Sequence, residues 1–317
     1  MRAKLSIASS ALAAILWAVP NSGAAPFIAK TAARESRSSM TTPLPVRFSV
    51  QKERGLLVRA WINGTGPYVF AVDTGAGMNL ITERVVSAAR LPVNTVAPAL
   101  LGGLTAARTS SNREAVIRQM ALGNSTNFLP ANKTALVVSY LPPDIDGILD
   151  PTEAYSPFGY SIDIPNQRLE ALDVGYGLSQ GRQTSLDSAV VPWLRVGDSN
   201  RPFVRLGDGR LALVDTGSGF GLAVNERGAV IVSNGRRSAT EIAGLSQDIG
   251  GGSVHSRRVS PTTISIGELV LRSVPTEVLF GVEDDAPVVL GRAALYPFKI
   301  TFDPRRRLIE FVTSESN

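Results

Sequence analysis

The feature that most restricts what this chain can fold into is an internal duplication. The run Tyr68-Val69-Phe70-Ala71-Val72-Asp73-Thr74-Gly75-Ala76-Gly77 is answered 142 positions later (215 minus 73) by Arg210-Leu211-Ala212-Leu213-Val214-Asp215-Thr216-Gly217-Ser218-Gly219. In each, an apolar strand ends in Asp-Thr-Gly, a small residue and a second glycine. The correspondence continues in the same order. Gly102-Gly103 matches Gly250-Gly251-Gly252, and Met120-Ala121-Leu122-Gly123 matches Ile264-Ser265-Ile266-Gly267. Asp146-Gly147-Ile148-Leu149-Asp150 matches Pro287-Val288-Val289-Leu290-Gly291, and Asp163 through Arg168-Leu169 matches Asp303 through Arg307-Leu308. The offset drifts only to 139 (307 minus 168), so the halves are nearly equal in length. Two similar lobes are expected, 45–175 and 188–313, related by an approximate two-fold axis. Residues 173–188, rich in Gly, Ser and Gln, read as the connector.

From Val46 onward, Gly, Pro or Asn interrupts the chain every 6 to 12 residues. Between the interruptions lie short apolar runs such as Leu56-Leu57-Val58-Arg59-Ala60-Trp61-Ile62, a pattern that predicts an all-β fold. The helix candidates are 82–89, with Thr82 as N-cap, and 292–296.

Composition narrows the chemistry. The 317 residues include no Cys and one His, His255, which removes thiol nucleophiles, Cys-based zinc sites and any mechanism needing two imidazoles. Acid–base work is left to carboxylates. The net charge of +5 falls to +3 without Arg2 and Lys4, and aromatics are 6%, so nucleic acid is not indicated as a partner. Arg305-Arg306-Arg307 reads as a solvated turn, His255 as an exposed loop residue, and Trp61 and Trp193 as packing residues. The acidic clusters 144–146 and 283–285 read as solvated turns, because neither continues with the spacing of a calcium loop; no metal or cofactor is expected.

Residues 1–24 have the three-part plan of an export signal: Arg2 and Lys4, an uncharged run over 5–19, then Pro20 and small residues before a cleavage point after Ala24. That run of 15 residues is short against the ~20 of a spanning helix, and an uncleaved anchor is the alternative reading. The mature chain is expected to have no membrane span and to work in a periplasm or outside the cell. Residues 25–44 read as a linker or short pro-segment.

The duplication gives the Asp-Thr-Gly triplets their meaning. A two-fold axis passing near the two strand ends would bring Asp73 and Asp215 face to face. Two ionised carboxylates ~3 Å apart at an effective dielectric of ~20 repel by roughly 5 kcal/mol, or about 4 pKa units, so the pair holds one proton over a wide pH range. Such a pair is an acid and a base together: one member deprotonates a water while the other hydrogen-bonds a carbonyl.

On these motifs the sequence resembles the aspartic peptidases, and in particular two fused retropepsin-like units. The resemblance implies a bilobal acid-protease fold of two β-barrel-like lobes with the cleft between them, polypeptide substrates, no cofactor and a monomer. It implies that Asp73 and Asp215 are catalytic. Thr74, Gly75, Ala76, Thr216, Gly217 and Ser218 would then form the supporting turns, with the two threonine hydroxyls bracing the lobe junction. Flaps over 100–111 and 244–257 would place Gly102, Gly103, Gly250, Gly251 and Gly252 over the substrate. One departure stands out: Asp150 occupies the position at which the second half carries Gly291, and its carboxyl is expected to turn outward or to be hydrogen-bonded. Ser218 follows the second triplet where Ala76 follows the first, so a Ser218 hydroxyl bonded to Asp215 would leave the charge on Asp215 and the proton on Asp73. The rival reading is a non-catalytic module that binds a peptide or partner on the same fold.

Overall fold

A computed structural model describes residues 41–173, 177–178, 187–197, 199–228 and 242–314. The export signal, residues 25–40 of the linker and most of the connector lie outside the described residues.

The fold is all-β, as the Gly/Pro punctuation predicts, and is organised in three sheets. A nine-stranded sheet is built wholly from the first half and a seven-stranded sheet wholly from the second. Their centres are alike. In the first, strand Thr65–Val72 runs parallel to Gly147–Leu149, with Val72 opposite Leu149. In the second, strand Leu211–Asp215 runs parallel to Val288–Gly291, with Val214 opposite Leu290 and Asp215 opposite Gly291. Where they pair, these strands are largely buried, which explains why they read as continuous apolar runs rather than as alternating ones.

The third sheet, of six strands, is shared. Strand Gly159–Asp163 pairs antiparallel with Phe298–Asp303, Ser161 lying opposite Thr301, and each is followed by a hairpin partner, Arg168–Leu172 or Leu308–Thr313. Tyr160 stacks on Phe302 at 4.7 Å between ring centroids, and Trp193 meets the same ring edge-on at 5.9 Å. One apolar cluster, containing Phe158, Tyr160, Ile162, Ile300, Phe302 and Phe311, thus joins the halves. The hairpins also correct the sequence alignment: Asp163 faces Arg168 and Asp303 faces Leu308, so Arg168 corresponds to Leu308 rather than to Arg307.

Short helices punctuate the sheets. Glu83–Ala88 and Arg292–Leu295 fall where expected, although Thr82, at the N-cap of the first, makes no side-chain capping bond. Another, Pro151–Tyr155, was not anticipated; Asp150 caps it through Oδ1, which accepts the Thr152 N–H at 2.9 Å, and Pro151 sits in its first turn. Trp193 is buried and Arg305 and Arg306 are exposed, as read from the sequence. His255 is exposed too, but on strand Ser253–Ile266 rather than in a loop. The acidic clusters are not simply solvated turns. Asp146 is buried, accepts the Val69 N–H at 2.9 Å and pairs with Arg84, while Glu283 pairs with Arg108 of the other half at 2.6 Å. No helix among the described residues is long and apolar enough to cross a membrane.

Candidate active site

The two Asp-Thr-Gly turns meet at the junction of the halves. Each follows a buried strand that delivers its aspartate to the interior, leaving Asp73 2% and Asp215 0% exposed. The threonines tie the turns together reciprocally. Thr74 Oγ1 donates to the Val214 carbonyl at 2.6 Å and accepts the Thr216 N–H at 3.1 Å. Thr216 Oγ1 donates to the Val72 carbonyl at 3.1 Å and accepts the Thr74 N–H at 3.1 Å.

Each glycine of the triplets faces the opposite aspartate. A Cβ on Gly75 would lie 2.7 Å from Asp215 Cγ, and a Cβ on Gly217 would strike the Asp73 carboxyl. Only glycine allows the carboxyls this approach. The carboxyls themselves are within hydrogen-bonding reach of each other. Asp73 Oδ1 accepts the Gly75 N–H at 2.8 Å and Asp215 Oδ1 accepts the Ser218 N–H at 3.0 Å. Asp215 Oδ2 is buried without a hydrogen-bond partner, and the Asp73 side chain is a hydrogen-bonding neighbour of the Asp215 carboxyl. Burial, and then the charge of Asp215, push Asp73 well above the usual carboxylate range. Burial also raises Asp215, but the hydrogen bond from Asp73, the Ser218 N–H and the Arg292 charge all work against the rise. These contributions favour the proton on Asp73 and the charge on Asp215.

The donor to Asp215 is not the one expected from the sequence. The Ser218 hydroxyl does not reach Asp215; it accepts the Phe220 N–H at 3.4 Å, and the donor to Asp215 is the Ser218 backbone. Nor does Asp150 turn outward. It is 2% exposed, lies immediately after the Leu149 carbonyl that receives the Asp73 N–H at 2.9 Å, and is pushed up to about 7 by burial despite its capping bond. Its own N–H is held by Asn79 Oδ1 at 3.1 Å.

Two buried arginines escaped the sequence analysis. Arg292 Nη1 donates to the Thr216 and Gly217 carbonyls at 2.8 and 2.7 Å, and Nη2 reaches the Lys52 carbonyl at 3.2 Å. Arg201 lies near both aspartates, and burial lowers it to about 10. Arg292 had a legible clue in Gly291-Arg292, a cation next to the position matching Asp150; nothing in the sequence singles out Arg201.

The flap candidates form two hairpins, and their tips interlock. Thr105 donates to Asp248 Oδ2 from its hydroxyl at 2.6 Å and from its N–H at 3.0 Å. Gly103 packs against the Asp248 side chain, Gly252 against Thr105, and Gly250 against the Ala107 carbonyl. Gly251 has φ +87, a turn conformation that side chains disfavour, whereas Gly102 closes on Arg108 of its own hairpin. The tips also exchange apolar residues: Leu104 of the first joins the cluster around Phe203, Leu213 and Phe220, and Ile249 of the second joins the cluster around Ala76, Leu80 and Leu101. The two hairpins are thus joined tip to tip rather than standing apart. A cavity of about 400 Å³ lies between strand Lys133–Val138 and both hairpins, lined by Leu101, Ser110, Val137, Tyr140 and Ile249, and it touches neither aspartate. Among the described residues no group of three or more His, Asp or Glu could hold a metal.

Residues 58–149, which include the first triplet and the strand pairing beneath it, match the family model described as Aspartyl protease. The match supports a protease-type function at the level of the family and implies polypeptide substrates. No curated protein matches the sequence.

Proposed function

We propose that the protein is an aspartic endopeptidase in which Asp73 and Asp215 are the catalytic pair. The observation that carries the reading is the facing of two buried carboxyls on reciprocally hydrogen-bonded Asp-Thr-Gly turns. The fold proposed with it has two lobes, 45–175 and 188–313, related by a local two-fold axis. The reciprocal threonine bonds and the antiparallel pairing centred on Ser161 and Thr301 support that relation. Both turns belong to one chain, so a monomer suffices.

In the reaction, a water over the pair loses a proton to ionised Asp215 as its oxygen attacks the scissile carbonyl carbon, and Asp73 donates its proton to the carbonyl oxygen. Asp73 is left as the carboxylate. The resulting diol collapses when its hydroxyl proton returns to Asp73 and the proton on Asp215 passes to the amide nitrogen. The C–N bond breaks, giving a carboxylic acid and an amine, and the pair regains its single proton. A peptide reaches the carboxyls only when the Thr105–Asp248 contact parts, after which the turns 102–108 and 248–252 would lie along the bound substrate. We further propose that the export signal places this activity in a periplasm or outside the cell.

The test is cleavage of an unstructured polypeptide between pH 3 and 7. Wild-type protein should cut, and Asp73→Asn and Asp215→Asn should each lose cleavage while keeping the fold. Binding of the polypeptide without cleavage by the wild type would instead support a non-catalytic module.

A further inference from the structure

The two turns are alike in hydrogen bonding but not in what lies behind them. Behind the first, at the end of strand Gly147–Leu149, is the carboxyl of Asp150. Behind the second, Gly291 has no side chain, and a Cβ there would lie 2.5 Å from the Phe220 carbonyl and 3.0 Å from the Ser218 hydroxyl. The next residue, Arg292, donates its guanidinium to the carbonyls of Thr216 and Gly217. A carboxyl therefore backs one catalytic turn and a cation backs the other.

We propose that Asp150 and Arg292 are positioning residues that assign the shared proton to Asp73 and the negative charge to Asp215, an inference that rests on the aspartic-pair reading. The physical basis is charge in a dry interior, where interactions are screened far less than in water. The groups that act on the pair are few. Asp73 feels Asp215 and Asp150; Arg292 and Arg201 act on both carboxyls, and more strongly on Asp215. Asp150 in turn faces Glu153 on its own helix and Tyr160 on strand Gly159–Asp163, whose hydroxyl lies 3.1 Å from Thr152 Oγ1. Buried Asp150, raised to about 7, ionises near neutrality. Its charge then opposes loss of the proton on Asp73. It holds that proton in place and extends the singly protonated state toward neutral pH.

Three variants separate this role from a structural one. Asp150→Asn keeps an oxygen for the Thr152 N–H but removes the charge, and Arg292→Lys keeps the charge but breaks the paired donation. Arg292→Gln removes the charge. Each is read in two ways: the pH–rate profile for polypeptide cleavage, and titration of the Asp73 and Asp215 carboxyls by 13C NMR. Asp150→Asn should move the alkaline limb down by about one pH unit, roughly a tenfold loss of rate above the limb, and should lower the Asp73 titration equally. Arg292→Gln should raise the acidic limb and the Asp215 titration, and Arg292→Lys should restore both in part. Folded Asp150→Asn with an unmoved limb and an unmoved Asp73 titration would overturn the proposal. If wild-type protein does not cleave, the peptidase reading fails, and the carboxyl titrations alone decide the proposal. If Arg292→Gln does not fold, Asp150→Asn decides it by the same two readouts.

Discussion

The reciprocal threonine bonds can be weighed by removing one hydroxyl at a time. Valine has almost the shape of threonine, so Thr74→Val leaves the packing intact and strips two bonds. The Thr216 N–H, held at 3.1 Å, loses its acceptor, and the Val214 carbonyl loses a donor at 2.6 Å. All of these groups are buried. An orphaned buried backbone group costs about 1–3 kcal/mol, so one substitution, which orphans two, should lower stability by roughly 2–6 kcal/mol. That is a large part of the ~5–15 kcal/mol that holds a folded protein together. Thr216→Val strips a different pair, the Thr74 N–H and the Val72 carbonyl, and should cost a similar amount. The bonds share no atom, yet they brace the same two turns. Once one turn has relaxed, the other has less to lose, so the double variant should fall short of additivity by about 0.5–3 kcal/mol. Urea unfolding of the four proteins at one pH measures all three quantities. Losses below about 0.5 kcal/mol for both single variants would refute the argument. Strict additivity would show instead that the two turns are held independently.

Other outcomes follow from neighbouring features. Asp150 is raised from 3.8 to about 7, so its contribution is present in full below about pH 4 and is lost as pH climbs through 7. About three pKa units correspond to roughly 4 kcal/mol, and the urea midpoint of wild type relative to Asp150→Asn should drop over that window; parallel midpoints would contradict the assignment. Thr105→Val removes the hydroxyl that holds Asp248 and receives the Ala107 N–H at 3.1 Å. Limited proteolysis should cut within 100–111 several-fold faster, kcat/KM for a long polypeptide should rise, and unchanged rates in both assays would count against interlocked tips as the barrier. Gly217→Ala drives a methyl into the Asp73 carboxyl, so cleavage should fall at least 100-fold with a stability loss of about 1–3 kcal/mol; full activity would mean the carboxyls do not approach this closely.

Much of this was legible in the chain because duplication writes each structural requirement twice. The apolar runs before Asp73 and Asp215, the glycines that follow, and the strands containing Leu149 and Leu290 all recur at matching places, and the structure pairs them in matching ways. What escaped is what the two halves do differently. Asp150 capping a helix was signalled by Asp150-Pro151-Thr152-Glu153, a helix start hidden by attention to the missing glycine. Arg201 carries no local signature, because its place is set by folding of residues far apart in sequence. The exchange of Leu104 and Ile249 between clusters is equally invisible: two polar, Gly-rich turns look solvent-facing until each is seen resting on the other. The Ser218 hydroxyl, though in the right sequence position, turns toward the Phe220 N–H, and the main chain makes the bond to Asp215 instead.

The six-stranded sheet has a consequence for how such a molecule could be divided. Its centre is a seam, one strand from each half laid side by side, and aromatic rings are sewn through it. Severed between the halves, either fragment would bare a raw β margin and a greasy face made for a near copy of itself. Two identical fragments would tend to find each other along that margin, so the tether between the halves serves to make certain that the partner found is the unlike one.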